Sequence, residues 1–113
     1  MKPVVHWYLQ RITGALLVFL LIAHFWVEHF ASEQLMRGDL SYEAIRARIS
    51  QPLWQGIDIA FLIVALYHGL SGLRNIVLDY SFISQRAARV ITALLVVIGG
   101  AWAWWGITAF RNL

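Results

Sequence analysis

Apolar residues dominate three stretches of this chain, at about residues 8–27, 57–78 and 90–110, while polar residues collect mainly between the first two. A helix needs about twenty residues to cross about 30 Å of hydrocarbon, so each stretch is long enough to span a bilayer. Residues 12–23 form the uninterrupted apolar part of the first, and the third carries no charge at all. In that third stretch Gly99-Gly100 and Gly106 suit close helix packing. Trp102, Trp104 and Trp105 gather towards one end, as an interfacial aromatic belt would. The long polar segment, residues 31–51, includes a stretch at 39–49 that places Tyr42, Ile45 and Ile49 on one side and charges on the other. That pattern predicts a short amphipathic helix on the membrane surface, stopped by Pro52. No repeat or low-complexity tract divides residues 1–113, which read as one all-α integral membrane domain.

Composition supports that class. The chain is 60% hydrophobic and 13% charged, about half the charge of an ordinary soluble domain. Having no cysteine, it offers no disulfide, thiolate metal site or cysteine-held iron–sulfur cluster. A net charge of +3, scattered along the sequence, does not suggest nucleic-acid binding and reports mainly on topology. Lys2, Arg11, Arg74, Arg86 and Arg89 belong to one side, and Arg37, Arg46, Arg48 and Arg111 to the other. The positive-inside rule then predicts a cytoplasmic N-terminus. Met1-Lys-Pro-Val-Val-His-Trp lacks the features of a cleaved signal, so the first apolar run is expected to be retained.

The candidate chemistry lies in the histidines. At about 100° per residue His68, Gly72, Asn75 and Asp79 share one face of the second span. The small residue one turn from His68 is expected to leave room for a flat group beside the imidazole. An ionisable residue at membrane depth suggests a functional site, the plain alternative being a histidine bonded to a neighbouring helix. His24, with Thr13, Leu17 and Leu20 on its face, is similarly placed in the first span. His6 and His29 flank that span and read as interfacial residues. Neutral imidazole is a common ligand of metals and of haem iron, so histidines on two helices of a bundle can clamp one haem. The three tryptophans of the third span read as belt residues, with contact to a porphyrin or quinone as the lesser alternative. With no HExxH and no nucleophile–base pair, electron transfer through a bound cofactor fits better than independent catalysis.

Trp7-Tyr-Leu-Gln-Arg11-Ile-Thr-Gly14 at the first span, Pro52-Leu-Trp-Gln-Gly-Ile-Asp leading into the second, and His68-Gly-Leu-Ser-Gly-Leu-Arg74-Asn-Ile-Val-Leu-Asp79-Tyr80 within it resemble a membrane-anchor subunit of succinate dehydrogenase, respiratory complex II. The likeness covers nearly the whole chain, and its most specific part is the histidine followed eleven positions later by Asp-Tyr. That pair and the Trp-x-x-Gln-Arg opening favour the smaller hydrophobic anchor over the larger, cytochrome b556-type one.

The resemblance implies three transmembrane helices forming half of a six-helix bundle with a second anchor subunit, in a prokaryotic cytoplasmic membrane. An iron–sulfur subunit and a flavoprotein subunit, which hold the clusters and FAD, would complete the complex. The anchor has no catalytic residue of its own in this scheme. It implies His68 as an axial ligand to the iron of haem b, and Tyr80, Asp79 and Arg11 at the quinone site, Arg11 being the least secure. His24 becomes a candidate ligand to a second haem, and Arg74 a candidate contact to a haem propionate or to lipid headgroups. A fumarate reductase anchor, a haem-b or quinone-binding subunit of another respiratory complex, and a purely structural anchor remain as alternatives.

Overall fold

A computed structural model describes residues 2–30, 33–80 and 82–112, the side chains of Leu35 and Tyr80 excepted. Three long helices carry the fold: α1 (Pro3–Phe30), α4 (Pro52–Tyr80) and α5 (Gln85–Arg111). Two short ones, α2 (Glu33–Met36) and α3 (Tyr42–Ile49), lie in the connection between α1 and α4. The three long helices are apolar and long enough to cross a membrane. At 28 residues, α1 is about 42 Å long and reaches past the hydrocarbon. The helices therefore begin before the apolar stretches and end after them.

Helix boundaries follow local chemistry. Ser41 caps α3 and Ser84 caps α5, each side-chain oxygen accepting a first-turn N–H. Asp39 accepts the Ser41 backbone N–H at 3.0 Å, which holds its carboxyl below the usual range, with the Ser41 side chain adding to the effect. Gly38, at φ 74°, supplies the left-handed turn after α2. Pro52 opens α4, where a missing N–H costs nothing, so it starts the second span as well as following the surface helix.

The central helix is α4, with α1 and α5 each packed against it. Among the described residues the buried apolar side chains are Val27 and Ala44, while Thr13, Arg48, Asp58 and Ser71 are buried polar ones. The bundle is thus polar between its helices and apolar outside, as a lipid solvent favours. On the α5 side small residues set the contact: a Cβ on Gly99 would lie 2.8 Å from Leu70 Cδ1, and one on Gly106 would meet Leu62 more closely still. Gln55 Nε2 donates to the Phe110 carbonyl at 2.7 Å and ties the far ends of the same two helices. Trp102, Trp104 and Trp105 are exposed on α5, as belt residues are.

Surface helix α3 departs from the expected amphipathic pattern. Its buried positions are Ala44 and Arg48, whereas Tyr42 is exposed. The charged residue faces inward because carboxylates on α1 and α4 receive it.

Gly106→Leu should lower the thermal midpoint of the protein in mild detergent, followed by helical circular dichroism, by the equivalent of about 1–3 kcal/mol of overpacking. Gly69→Ala, where a Cβ meets nothing within 4 Å, should leave the midpoint unchanged or slightly raised. Equal effects of the two changes would mean that the α4–α5 contact does not depend on Gly106.

Candidate functional site

The face of α1 that meets α4 carries His6, Gln10, Thr13, Gly14 and His24, spaced at three, four and multiples of a turn. Near the α1 N-terminus Gln10, Thr13 and Gly14 pack against His68. Thr13 Oγ1 lies 3.1 Å from His68 Nδ1 and 2.6 Å from the Leu9 carbonyl. A hydroxyl has one proton, and the carbonyl can only accept. The Thr13 proton therefore goes to Leu9, and His68 Nδ1–H donates to Thr13. This fixes the tautomer and leaves the lone pair on Nε2.

Gly14 makes the close approach of the imidazole feasible, since a Cβ there would lie 3.2 Å from His68 Cε1. Gln10 then locks the register: its Nε2 donates to the His68 carbonyl at 3.2 Å, and Ser71 Oγ donates to its Oε1 at 2.6 Å. The Gln10 amide crosses over Gly72, where a Cβ would meet Nε2 at 3.2 Å. The open space expected beside Gly72 is thus occupied by Gln10, and the small neighbour of His68 comes from the other helix. One turn closer to the α1 N-terminus, His6 Nδ1 and Tyr67 Oη are 3.0 Å apart.

A second polar cluster stands at the opposite end of the α1–α4 contact. Arg48 reaches from α3 to Asp58 Oδ2 at 3.0 Å and Glu28 Oε1 at 2.6 Å. Asp58 Oδ1 lies 3.0 Å from His24 Nδ1, and Glu28 Oε1 lies 3.9 Å from His24 Nε2. The His24 ring stacks on Phe61 with centroids 5.4 Å apart. Both arginine and aspartate side chains are almost fully buried, so each charge depends on the other.

The remaining candidates are distributed along the end where α1 begins and α4 finishes. Arg74 Nε donates to Thr92 Oγ1 of α5 at 2.7 Å, on a different side of α4 from the His68 contact with α1. Arg11 is exposed, its guanidinium 5.3 Å from the Trp7 ring centroid. Arg11 sits next to the level of Gly72, and Asp79 is about 10 Å further along α4, so the two are not in contact. Asp79 is exposed in the last turn; Tyr80 closes the helix, and its side chain lies outside the described residues.

Over residues 1–107 the chain matches the family described as succinate dehydrogenase/fumarate reductase transmembrane subunit. It belongs to that family. Two relatives, both named succinate dehydrogenase hydrophobic membrane anchor subunit, come from Archaeoglobus fulgidus and Thermoplasma acidophilum. The first is 34% identical over 73 residues, 65% of this chain and 59% of its own length. The second is 33% identical over 89 residues, 79% of this chain and 69% of its own length. The chain thus aligns with somewhat over half of the first relative. The names of both agree with the smaller anchor type read from the sequence.

In this transmembrane subunit, sequence reasoning had not found the partners of either histidine. Gln10 and Thr13 were visible as polar residues one turn apart in an apolar helix, a signal of inter-helix bonding. Asp58 was visible as the lone acid near the start of the second span. Arg48 could not be recognised, because its role depends on how α3 folds back.

Arg48→Met should strand Asp58 and cost about 3–5 kcal/mol, read as a lower unfolding midpoint and faster proteolysis between α2 and α3. The double change Arg48→Met with Asp58→Leu should recover most of that loss. A double variant no more stable than Arg48→Met would refute the coupling.

Proposed function

We propose that this subunit anchors a succinate:quinone oxidoreductase in the membrane, supplies through His68 one axial ligand to a haem b shared with a second anchor, and contributes Asp79 and Tyr80 to quinone reduction. The observation that carries the reading is the Thr13–His68 bond. It leaves the lone pair on Nε2, the atom that would ligate iron, with the other ring nitrogen anchored as ligating histidines require. When bound, haem iron supplies one-electron transfer at a potential set by its axial ligands and their surroundings. The chain's own part is to orient the ring through Thr13 and Gly14 and to keep its depth fixed through Gln10.

The other residues take separate roles. His24 has its two ring nitrogens turned to Asp58 and Glu28, which favours membership of the ion cluster over a second haem. Quinone reduction consumes two protons, and an exposed carboxylate at the end of α4 can relay them from water while a phenol donates to the quinone carbonyl. An iron–sulfur subunit and a flavoprotein would dock on this side, for which the five-to-four distribution of arginine and lysine favours the cytoplasm. The family name covers succinate oxidation and fumarate reduction alike, and the succinate dehydrogenase names of both relatives favour the former.

His68→Ala should abolish or perturb the low-spin haem spectrum of the purified complex, and Thr13→Val should keep the haem but shift its midpoint potential. His24→Ala should leave the haem-to-flavin ratio unchanged; loss of about half the haem would restore the second-haem reading. A full, unchanged spectrum in His68→Ala sinks the haem assignment.

Tyr80→Phe should reduce quinone reductase activity about tenfold, as loss of a hydrogen bond of about 1.5 kcal/mol in the transition state predicts. Succinate oxidation with an artificial acceptor that bypasses the quinone should stay near normal. Equal losses in both assays would make Tyr80 an interfacial anchor only.

A further inference from the structure

The cluster at the α3 end of the bundle takes no part in the chemistry proposed above, yet it gathers His24, Glu28, Arg48 and Asp58 from three helices. Among the described residues, Arg48 is the one through which α3 makes ion pairs to the long helices. It bonds Asp58 Oδ2 through Nη1 and Glu28 Oε1 through Nη2. A guanidinium stays charged in a protein, so Arg48 meets both acids as carboxylates.

His24 faces the same two acids. Its Nδ1 lies 3.0 Å from Asp58 Oδ1, and a carboxylate only accepts, so Nδ1–H donates there. In the neutral ring that leaves a lone pair on Nε2. It is turned towards Glu28 Oε1 at 3.9 Å, an acceptor facing an acceptor beyond hydrogen-bond reach. That same oxygen is 2.6 Å from Arg48 Nη2. The docked arrangement therefore belongs to the neutral ring. A proton arriving on Nε2 makes it a donor, and Glu28, one turn along α1, is the acceptor in front of it.

Among the described residues no other charged group pairs with the ring. On α1, His29 is exposed and lies against Phe25, and on α2 Glu33 and Arg37 pair with each other. Glu43 and Arg46 of α3 are exposed, and Asp39 before it accepts the Ser41 N–H. From α4 Phe61 stacks on the ring, while Arg111 of α5 is exposed and unpaired. The His24 and Glu28 side chains are 33% and 31% exposed, so a proton can reach the ring from outside the bundle.

We propose that Glu28 is the moving contact of an acid-released latch. Arg48 holds it while His24 is neutral, and His24 draws it away once the ring is protonated, so that α3 loosens. Histidine is the side chain whose charge changes between about pH 5 and 8. The sign follows from competition: an imidazolium and Arg48 are like charges seeking the same two carboxylates, and each weakens the hold of the other. Docking of α3 therefore weakens as pH falls and recovers as it rises. The latch stands across the membrane from the N-terminus and responds to acid on that side. It rests on the reading of His24 as a member of the ion cluster and is independent of the assignments at His68, Asp79 and Tyr80.

The test uses the full chain purified with the subunits that accompany it, in mild detergent. Hydrogen–deuterium exchange of α3 is the readout, since a helix of 8 residues does not hold in water unless it is docked. Corrected for the intrinsic exchange rate, its protection should fall about tenfold from about pH 8 to about pH 5.5, as loss of one charge-assisted hydrogen bond predicts. His24→Gln should keep α3 protected across that range. Glu28→Gln, whose amide is not drawn to a charged ring, should lower protection at both ends and remove most of the change between them. Constant protection in the natural sequence overturns the proposal without any variant. A full pH response retained by His24→Gln or by Glu28→Gln overturns it as well. Haem content separates the latch from the reading beneath it: loss of haem in His24→Gln would overturn both, whereas a flat profile in the natural sequence with haem retained in the variant overturns the latch alone.

Discussion

Everything in this bundle depends on the polar contact between α1 and α4. Apolar side chains gain little by leaving lipid for a protein interior that is no more apolar, so hydrophobic burial cannot hold two helices together in a membrane. Hydrogen bonds and close backbone approach can. Here they occupy both ends of one interface, Gln10, Thr13 and Ser71 at one and His24, Glu28 and Asp58 at the other. The single buried apolar side chain of α1 is Val27. Two polar anchors separated by several turns define register as well as contact, because sliding either helix by one residue would unpair both.

The same interface explains why the geometry around His68 is set from α1. Thr13 chooses the tautomer, Gly14 admits the ring, and Gln10 fixes the depth of the backbone that carries it. A side chain oriented by a neighbouring helix is less free to rotate than one supported only by its own. On the other side of α4 the contact with α5 is of a different kind, made by Gly99 and Gly106 under Leu70 and Leu62 with few polar bonds. One helix thus separates a hydrogen-bonded interface from a steric one.

The three spans were legible from residue pattern because hydropathy over about twenty residues reports the bilayer directly. The positions of His68 and His24 on the faces of their helices were legible too, from periodicity. Their partners were not. Gln10 and Thr13 share a face with His24, but which residue of α4 meets them depends on crossing geometry, which a single helix does not encode. Gly72 shows the limit: one turn from His68, it belongs to the path of Gln10. Surface helix α3 shows it again. Counting Tyr42, Ile45 and Ile49 as its inward side ignored the carboxylates waiting on other helices, and Arg48 won the inward position because an unpaired buried Asp58 is the costlier arrangement.

Arg48 also imposes an order of events on assembly. It is borne by a helix of 8 residues in a connection outside the spans, and its two partners sit on separate long helices. The guanidinium can engage both only after α1 and α4 have entered the membrane and found each other. Docking of α3 is therefore a late closing step, and it adds a third helix to an end that His24 and Asp58 already join. Until then His24 and Asp58 alone join the two long helices at that end, and Glu28 waits for its partner.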